Sequence, residues 1–483
     1  MAALTFAPPS RSAPMVRDGA RLVVQTWLIS RLLMVGVALW VGMTTGRSPG
    51  DMLANWDVQH YFDIATHGYV ADNSIAFFPG WPLVLRAFSM VGVPMLWAGV
   101  CLAVICSAFA AAALYRLGGP IAAVVWLLAP TTVFTMVPYT EAPFCAAAFW
   151  AWERARAGRW GAAATLAALA CTLRVSGLFL LCALVILALS RRWLGSGRPA
   201  VSGASSAAQW GAPSGWSGGS TGGAGARTQA TSGRALGYVR DLLARLRSPK
   251  GRGAAGSSGV ATAGPSYSSP QFSSRPQGSS TPRSSGNWPQ PGAVDVVRGW
   301  LGDGRVRALA WLSIPALTLF GYIAYLYNLT GDWNAWYRAQ STGWPRGFTW
   351  PWVSLQHTIE AATSNAYPAF PEWSWVFRAE LGAMAVGVIV TLICLRKRRW
   401  AEAAWVGVQV LAFSCSYWYL SVTRAMLLWF PLFVLIGERL SGGWNLRPSR
   451  RRLRTLLTAA VFVLAAFVLC WWSWLFFTGR WAS

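Results

Sequence analysis

Charge is what this chain has least of. Of its 483 residues 12% are Asp, Glu, Lys or Arg, and 54% are hydrophobic. A soluble domain carries about a quarter charged residues, so an ordinary water-soluble globule is excluded. Acidic groups are the scarcer, 16 against 41 basic, and histidine occurs three times. The eight cysteines (Cys101, Cys106, Cys145, Cys171, Cys182, Cys394, Cys415 and Cys470) each lie in an apolar segment, with no Cys-x-x-Cys among them. That pattern argues against a disulfide or zinc framework. It fits thiols acting as small buried hydrophobes. There is no basic groove with interleaved stacking residues, so the net charge of +25 does not point to nucleic acid. Basic residues instead cluster between apolar runs, as in Arg396-Lys397-Arg398-Arg399 and Arg450-Arg451-Arg452. Positive charge holding loops on the cytoplasmic side of a membrane produces that placement.

Apolar runs of spanning length follow one another along the chain. Residues 1–20, with Arg11 and Arg17, read as a cytoplasmic tail. The run 22–41 has no small-residue cleavage site behind it and reads as a retained transmembrane helix, not a signal peptide. Further runs lie at 90–115, 120–136, 141–152, 160–189, 306–326, 375–395, 401–420, 427–440 and 456–477. Arg174-Val175-Ser176-Gly177 divides 160–189 into two short helices. The expected fold is an all-α polytopic membrane protein of about eleven spans, with short extracytoplasmic juxtamembrane helices. Two membrane modules, 21–195 and 298–483, carry outer loops at 44–89 and 328–372. Between them, 196–297 is Ser-, Gly- and Pro-rich and reads as a disordered cytoplasmic insertion.

The most polar stretch beside an expected span is 55–82, NWDVQHYFDIATHGYVADNSIAFFPGWP. Ionisable groups at a membrane are costly and mark function. On the expected topology Asp57, His60, Asp63, His67, Glu141, Arg174, Asp332, Arg346 and Arg424 share the outer face. A carboxylate can take a proton from an attacking hydroxyl, and arginine pairs with phosphate. Competing readings stand beside these: Asp57 as a helix N-cap, Glu141 as a favourable charge at a helix start, and Arg174 and Arg424 as lipid-head anchors. His60, Asp63 and His67 have the spacing of one helix face, which admits a divalent metal or a hydrogen-bonded surface pair. No cofactor is otherwise implied.

The segment Asn55-Trp56-Asp57-Val58-Gln59-His60-Tyr61, with Ile64-Ala65-Thr66-His67-Gly68-Tyr69 and Ala76-Phe77-Phe78-Pro79-Gly80-Trp81-Pro82, resembles the PIG-V, or GPI mannosyltransferase 2, family. Leu128-Ala129-Pro130-Thr131, Tyr139-Thr140-Glu141, Leu173-Arg174-Val175-Ser176-Gly177, Thr423-Arg424, Phe430-Pro431-Leu432-Phe433 and Tyr325 through Gln340 continue the resemblance in order. It implies a GT-C-type integral membrane glycosyltransferase that moves mannose from a polyprenyl-phosphate-mannose donor on the outer face. It further implies inversion at the sugar, with Asp57 as the base and Arg174 and Arg424 steadying the leaving phosphate. Substrate contacts are expected from Trp56, Gln59, His60, His67, Glu141, Arg174, Asp332 and Arg424. The Ala-, Arg-, Gly- and Trp-heavy composition is similar to that of high-GC bacteria such as actinomycetes. The expected acceptor is therefore a glycolipid, lipoglycan or secreted protein at the cell membrane, not a GPI anchor.

Two other classes compete. A flippase for a lipid-linked sugar calls for midplane ionisable groups and an internal repeat, and no repeat is visible. A membrane scaffold would act through the insertion. Deleting residues 200–290 and assaying sugar transfer separates the scaffold from the enzyme: transfer persists for an enzyme and is lost for a scaffold.

Overall fold

The computed structural model describes residues 13–190, 304–441 except 345 and 364, and 448–482, with side chains starting at 18 and 456 in the first and last helices. The expected insertion at 196–297 and residues 1–12 of the expected tail lie outside the described residues. Everything described is helix, turn or irregular segment apart from one antiparallel bridge, Phe348 to Ser416. The protein is all-α among the described residues.

A long first helix, α1 (Ala13–Thr45), leads through short α2 (Pro49–Leu53) to α3 (Asp57–His67), a 3-10 turn (Asp72–Ala76) and α4 (Gly80–Met90). Then come α5 (Met95–Leu127), a second 3-10 segment (Pro130–Thr135), α6 (Glu141–Arg156), α7 (Trp160–Leu173) and α8 (Ser176–Ser190). After the insertion follow α9 (Gly304–Thr330), α10 (Ala335–Gly343), α11 (Pro351–Ala361), α12 (Pro371–Arg396), α13 (Trp400–Ser414), α14 (Val422–Ala425), α15 (Phe430–Ser441) and α16 (Pro448–Phe477). Among the described residues five helices are long and apolar enough to cross a membrane: Asp18–Thr45 within α1, then α5, α9, α12 and Leu456–Phe477 within α16. The outer faces of these helices carry exposed Leu32, Leu39, Leu317, Phe320 and Phe467. Water would penalise such faces; hydrocarbon does not.

The centre of the bundle is α5, packed by α1, α6 and α15, while α7 packs on α6 and α9, and α13 on α8 and α12. Its inner surface is large and aromatic, with Trp126, Trp152, Trp405, Trp429, Phe144 and Phe149 fully buried. Burying side chains of this kind stabilises by roughly 1.5–3 kcal/mol each. Two buried indoles also anchor backbone: Trp126 Nε1 donates to the Leu427 carbonyl at 2.9 Å and Trp405 Nε1 to that of Leu428 at 3.0 Å. Arg31, buried in α1, donates to Thr135 Oγ1 at 2.9 Å and ties the first helix to the second 3-10 segment.

Local chemistry moves several boundaries. The runs expected at 90–115 and 120–136 are joined in α5, broken only where Gly119 adopts φ +82° ahead of Pro120, and helix stops at Leu127. Pro130 then starts the 3-10 turn, since proline lacks the N–H that would continue the ladder. The run expected at 401–420 is helical only to Ser414. Beyond it the chain is extended at Ser416, and the Thr349 N–H donates to the Cys415 carbonyl at 3.0 Å.

The turn between α7 and α8 is as short as expected, and it needs glycine. A Cβ on Gly177 would fall 2.5 Å from Cys171 Cα and 2.9 Å from its backbone nitrogen. Gly177→Ala is expected to destabilise by about 1–3 kcal/mol, the usual cost of overpacking, read as earlier thermal unfolding in detergent. An unchanged transition would show that the hairpin can open without loss.

Candidate active site

The loop after α1 is fixed before any chemistry begins. Ser48 and Asp51 form a reciprocal capping box on α2, and Asn55 Nδ2 donates to the carbonyls of Met52 at 2.9 Å and Phe476 at 2.7 Å. Trp56 follows at φ +56°, a conformation rarely adopted by residues other than glycine. Such backbone persists only where the surroundings over-determine it. Here Tyr139 does so: its hydroxyl accepts the Asp57 N–H at 3.2 Å and donates to the Asn55 carbonyl at 3.4 Å. Asp57 is thereby placed at the first residue of α3.

The N-cap reading of Asp57 fails on geometry. Trp56 occupies the cap position and no side chain caps the helix. The Asp57 carboxylate reaches Arg424, whose Nη1 donates to Oδ2 at 2.9 Å. Oδ1 has no partner among the described residues. Glu141, the first residue of α6, likewise turns to arginine: Arg174 Nη1 donates to Oε1 at 2.6 Å, and Arg424 Nε lies 3.0 Å from the same oxygen. Four ionised groups thus form one chain, Asp57–Arg424–Glu141–Arg174, whose formal charges cancel. Glu141 is 1% exposed, and at that depth removing one partner of an ion pair costs about 3–5 kcal/mol.

The surroundings settle the charge of Arg424. Burial pushes Arg424 toward losing its proton, but the carboxylates of Asp57 and Glu141 outweigh it and raise the guanidinium above its ordinary range. Its charge is permanent. The guanidinium carbon also sits 5.4 Å from the ring centres of both Phe134 and Tyr139. Burial, helped by the Asp57 charge, lifts the phenols of Tyr61 and Tyr139 far above their usual values, so both stay neutral hydrogen-bonding groups.

Beside the cluster opens a cavity of about 200 Å³ lined by Trp56, Asp57, Phe77, Phe134, Tyr139, Gln340, Trp344, Arg346, Leu420, Ser421, Arg424, Trp481 and Ala482. Of the residues expected from sequence, Trp56, Asp57 and Arg424 line it. Glu141 and Arg174 stand behind Arg424. His60 stacks on Phe77 with ring centres 4.9 Å apart and meets the edge of Trp344 at 5.7 Å, so it supports the aromatic wall. Gln59, Asp63 and His67 sit exposed on α3 and do not line the cavity. Asp332 caps the approach to α10, accepting the Asn334 N–H at 2.9 Å and pairing with Arg338 at 2.7 Å. Among the described residues no group of three His, Cys, Asp or Glu side chains is arranged to hold a metal ion. The third histidine, His357, packs on Tyr417 and bonds its carbonyl at 3.0 Å.

Over 145 residues the chain is 35% identical to GPI alpha-1,6-mannosyltransferase 2 of Rattus norvegicus, 34% to that of Mus musculus and 32% to that of Homo sapiens. Over that stretch it is similar to these mannosyltransferases. The match takes in 26% of this chain, and the chain spans about 30% of the length of the curated relatives it matches. No family model matches, and no solved structure does.

A further group holds the site from behind. Glu380, fully buried in α12, accepts the backbone N–H groups of Ser421 at 3.1 Å, Val422 at 2.6 Å and Thr423 at 3.0 Å, and the Thr423 hydroxyl at 3.2 Å. That carboxylate pins the turn carrying Arg424, with Ser421 in the left-handed region at φ +65°. A lone carboxylate inside the apolar run 375–395 was the available sequence signal for it. Gln340 and Arg346 were placed in the second outer loop without an expected substrate contact, and Trp344 had no local pattern to distinguish it. Glu380→Ala is expected to release the turn, since each orphaned buried donor costs about 1–3 kcal/mol. Hydrogen exchange of a peptide covering 415–428 should quicken by an order of magnitude or more. Exchange at the wild-type rate would mean the turn stands without Glu380.

Proposed function

We propose that this protein is a membrane mannosyltransferase of the GT-C type, with about eleven membrane segments when the shorter helices are counted. It moves mannose from a polyprenyl-phosphate-mannose donor to a glycolipid, lipoglycan or other acceptor on the extracytoplasmic face of the cell membrane. The observation that carries the reading is the meeting, at one aromatic-walled cavity, of a half-buried carboxylate and a permanent guanidinium from opposite ends of the chain. The likeness to mannosyltransferases supports the sugar.

Asp57 Oδ1 takes the proton of the acceptor hydroxyl while that oxygen attacks the anomeric carbon. The bond from that carbon to the phosphate oxygen breaks, and its electron pair leaves with the lipid phosphate. Configuration at the sugar inverts. Arg424, shared with Glu141, fixes the Asp57 carboxylate in one orientation. Positioning of this kind and base catalysis can together supply several orders of magnitude in rate. Trp56, Phe77, Trp344 and Trp481 offer the flat apolar faces that sugar rings pack on.

Purified protein in vesicles, given radiolabelled polyprenyl-phosphate mannose and host lipids, is expected to move label into a new glycolipid. The product linkage should have the anomeric configuration opposite to the donor's. Label that only crosses the vesicle membrane would replace the transferase with a flippase. A parallel run with chelator decides whether a divalent metal takes part.

A further inference from the structure

Three arginines approach the cavity, and two of them are spoken for. Arg174 and Arg424 both engage Glu141, and Arg424 engages Asp57 as well. Arg346, in the segment between α10 and α11, lines the same cavity and forms no ion pair among the described residues. Its Nη2 makes two long contacts, 3.5 Å to the Leu420 carbonyl and 3.4 Å to Ser421 Oγ, and its buried Nε has no hydrogen-bond partner. Both contacts are to the turn that Glu380 pins, so the guanidinium stands on a fixed base. Burial, with the nearby Arg424 charge adding to it, lowers its pKa to about 10, which leaves it cationic at neutral pH. A half-buried cation with donors to spare and no counter-charge paired to it is a binding site for an anion.

We propose that Arg346 binds the phosphate of the lipid-linked donor, since Arg174 and Arg424 are each paired to a carboxylate and, among the described residues, Arg346 is paired to none. The proposal rests on the transferase reading. It also has a consequence for timing. The donor phosphate is a diester with one negative charge, and bond cleavage turns it into a monoester that gains a second. Arg346 therefore gains interaction as the bond breaks, which is where stabilisation accelerates the step.

The test compares wild type, Arg346→Gln and Arg346→Lys in nanodiscs, measuring binding of polyprenyl phosphate, of the matching polyprenol and of inorganic phosphate. Wild type is expected to prefer polyprenyl phosphate to polyprenol by roughly ten-fold or more, the scale of one charge-assisted hydrogen bond. Arg346→Gln should bring the two within about two-fold, Arg346→Lys should retain part of the preference, and polyprenol affinity should stay constant as the control for folding. With labelled donor, Arg346→Gln should lose more in kcat than in KM. Full phosphate preference in Arg346→Gln, with transfer intact in wild type, overturns the proposal alone. Absence of both transfer and phosphate preference in wild type overturns the transferase reading with it. Inorganic phosphate competing as well as the lipid would assign the site to free phosphate and overturn the lipid assignment.

Discussion

The ion pair between Asp57 and Arg424 joins residues 367 apart in the chain, and the rest of the site is arranged so that this pair can exist. Charges withdrawn from water are tolerated only when matched and hydrogen-bonded. Here one match requires another. Arg424 between two carboxylates would leave the cluster negative, and Arg174 on Glu141 restores balance. The result is a neutral network in which two carboxylate oxygens have no hydrogen-bond partner among the described residues, the buried Glu141 Oε2 and Asp57 Oδ1. Of the two residues, Asp57 is the one that lines the cavity.

Holding that network requires backbone that would not otherwise persist. Trp56 at φ +56° and Ser421 at φ +65° are both non-glycine residues in the left-handed region, and each adjoins one member of the pair. Their restraints are different in kind. The Trp56 turn is held by a neutral phenol, Tyr139, together with Asn55 bonded to the last helix. The Ser421 turn is held by the buried Glu380 carboxylate through four donors. Both halves of the chain thus spend buried polar groups on orienting one pair, a pattern associated with preorganised sites.

Much of the helical layout was legible, because long apolar runs favour helices directly. The break at Arg174 to Gly177 is an example: a glycine and a charge inside a run too long for one helix left little alternative. Ends of helices were less legible. Where Gly119 interrupts α5, or where 415–420 leaves helix to meet Thr349, distant contacts outweigh local hydrophobicity. Within the site, Asp57 and Arg424 stood out as charges beside spans, and both line the cavity. His67 and Asp332 stood out equally and do not line it, since spacing along a helix or loop does not say which face the rest of the chain covers. Arg346 is the reverse case. Its place on the expected outer face was legible, but no substrate contact was expected of it, because its lack of a paired carboxylate shows only once its neighbours are known.

The decisive measurement is transfer of labelled mannose by Asp57→Asn beside wild type, with thermal unfolding run on both proteins. Asn keeps the size of Asp and removes the base. If Asp57 takes the acceptor proton, transfer should fall by about 10²–10⁴-fold, the range for loss of a general base, while the variant still inserts and unfolds cooperatively. Transfer within a few-fold of wild type by a folded Asp57→Asn protein would contradict the assignment and leave the ion pair with a purely architectural role.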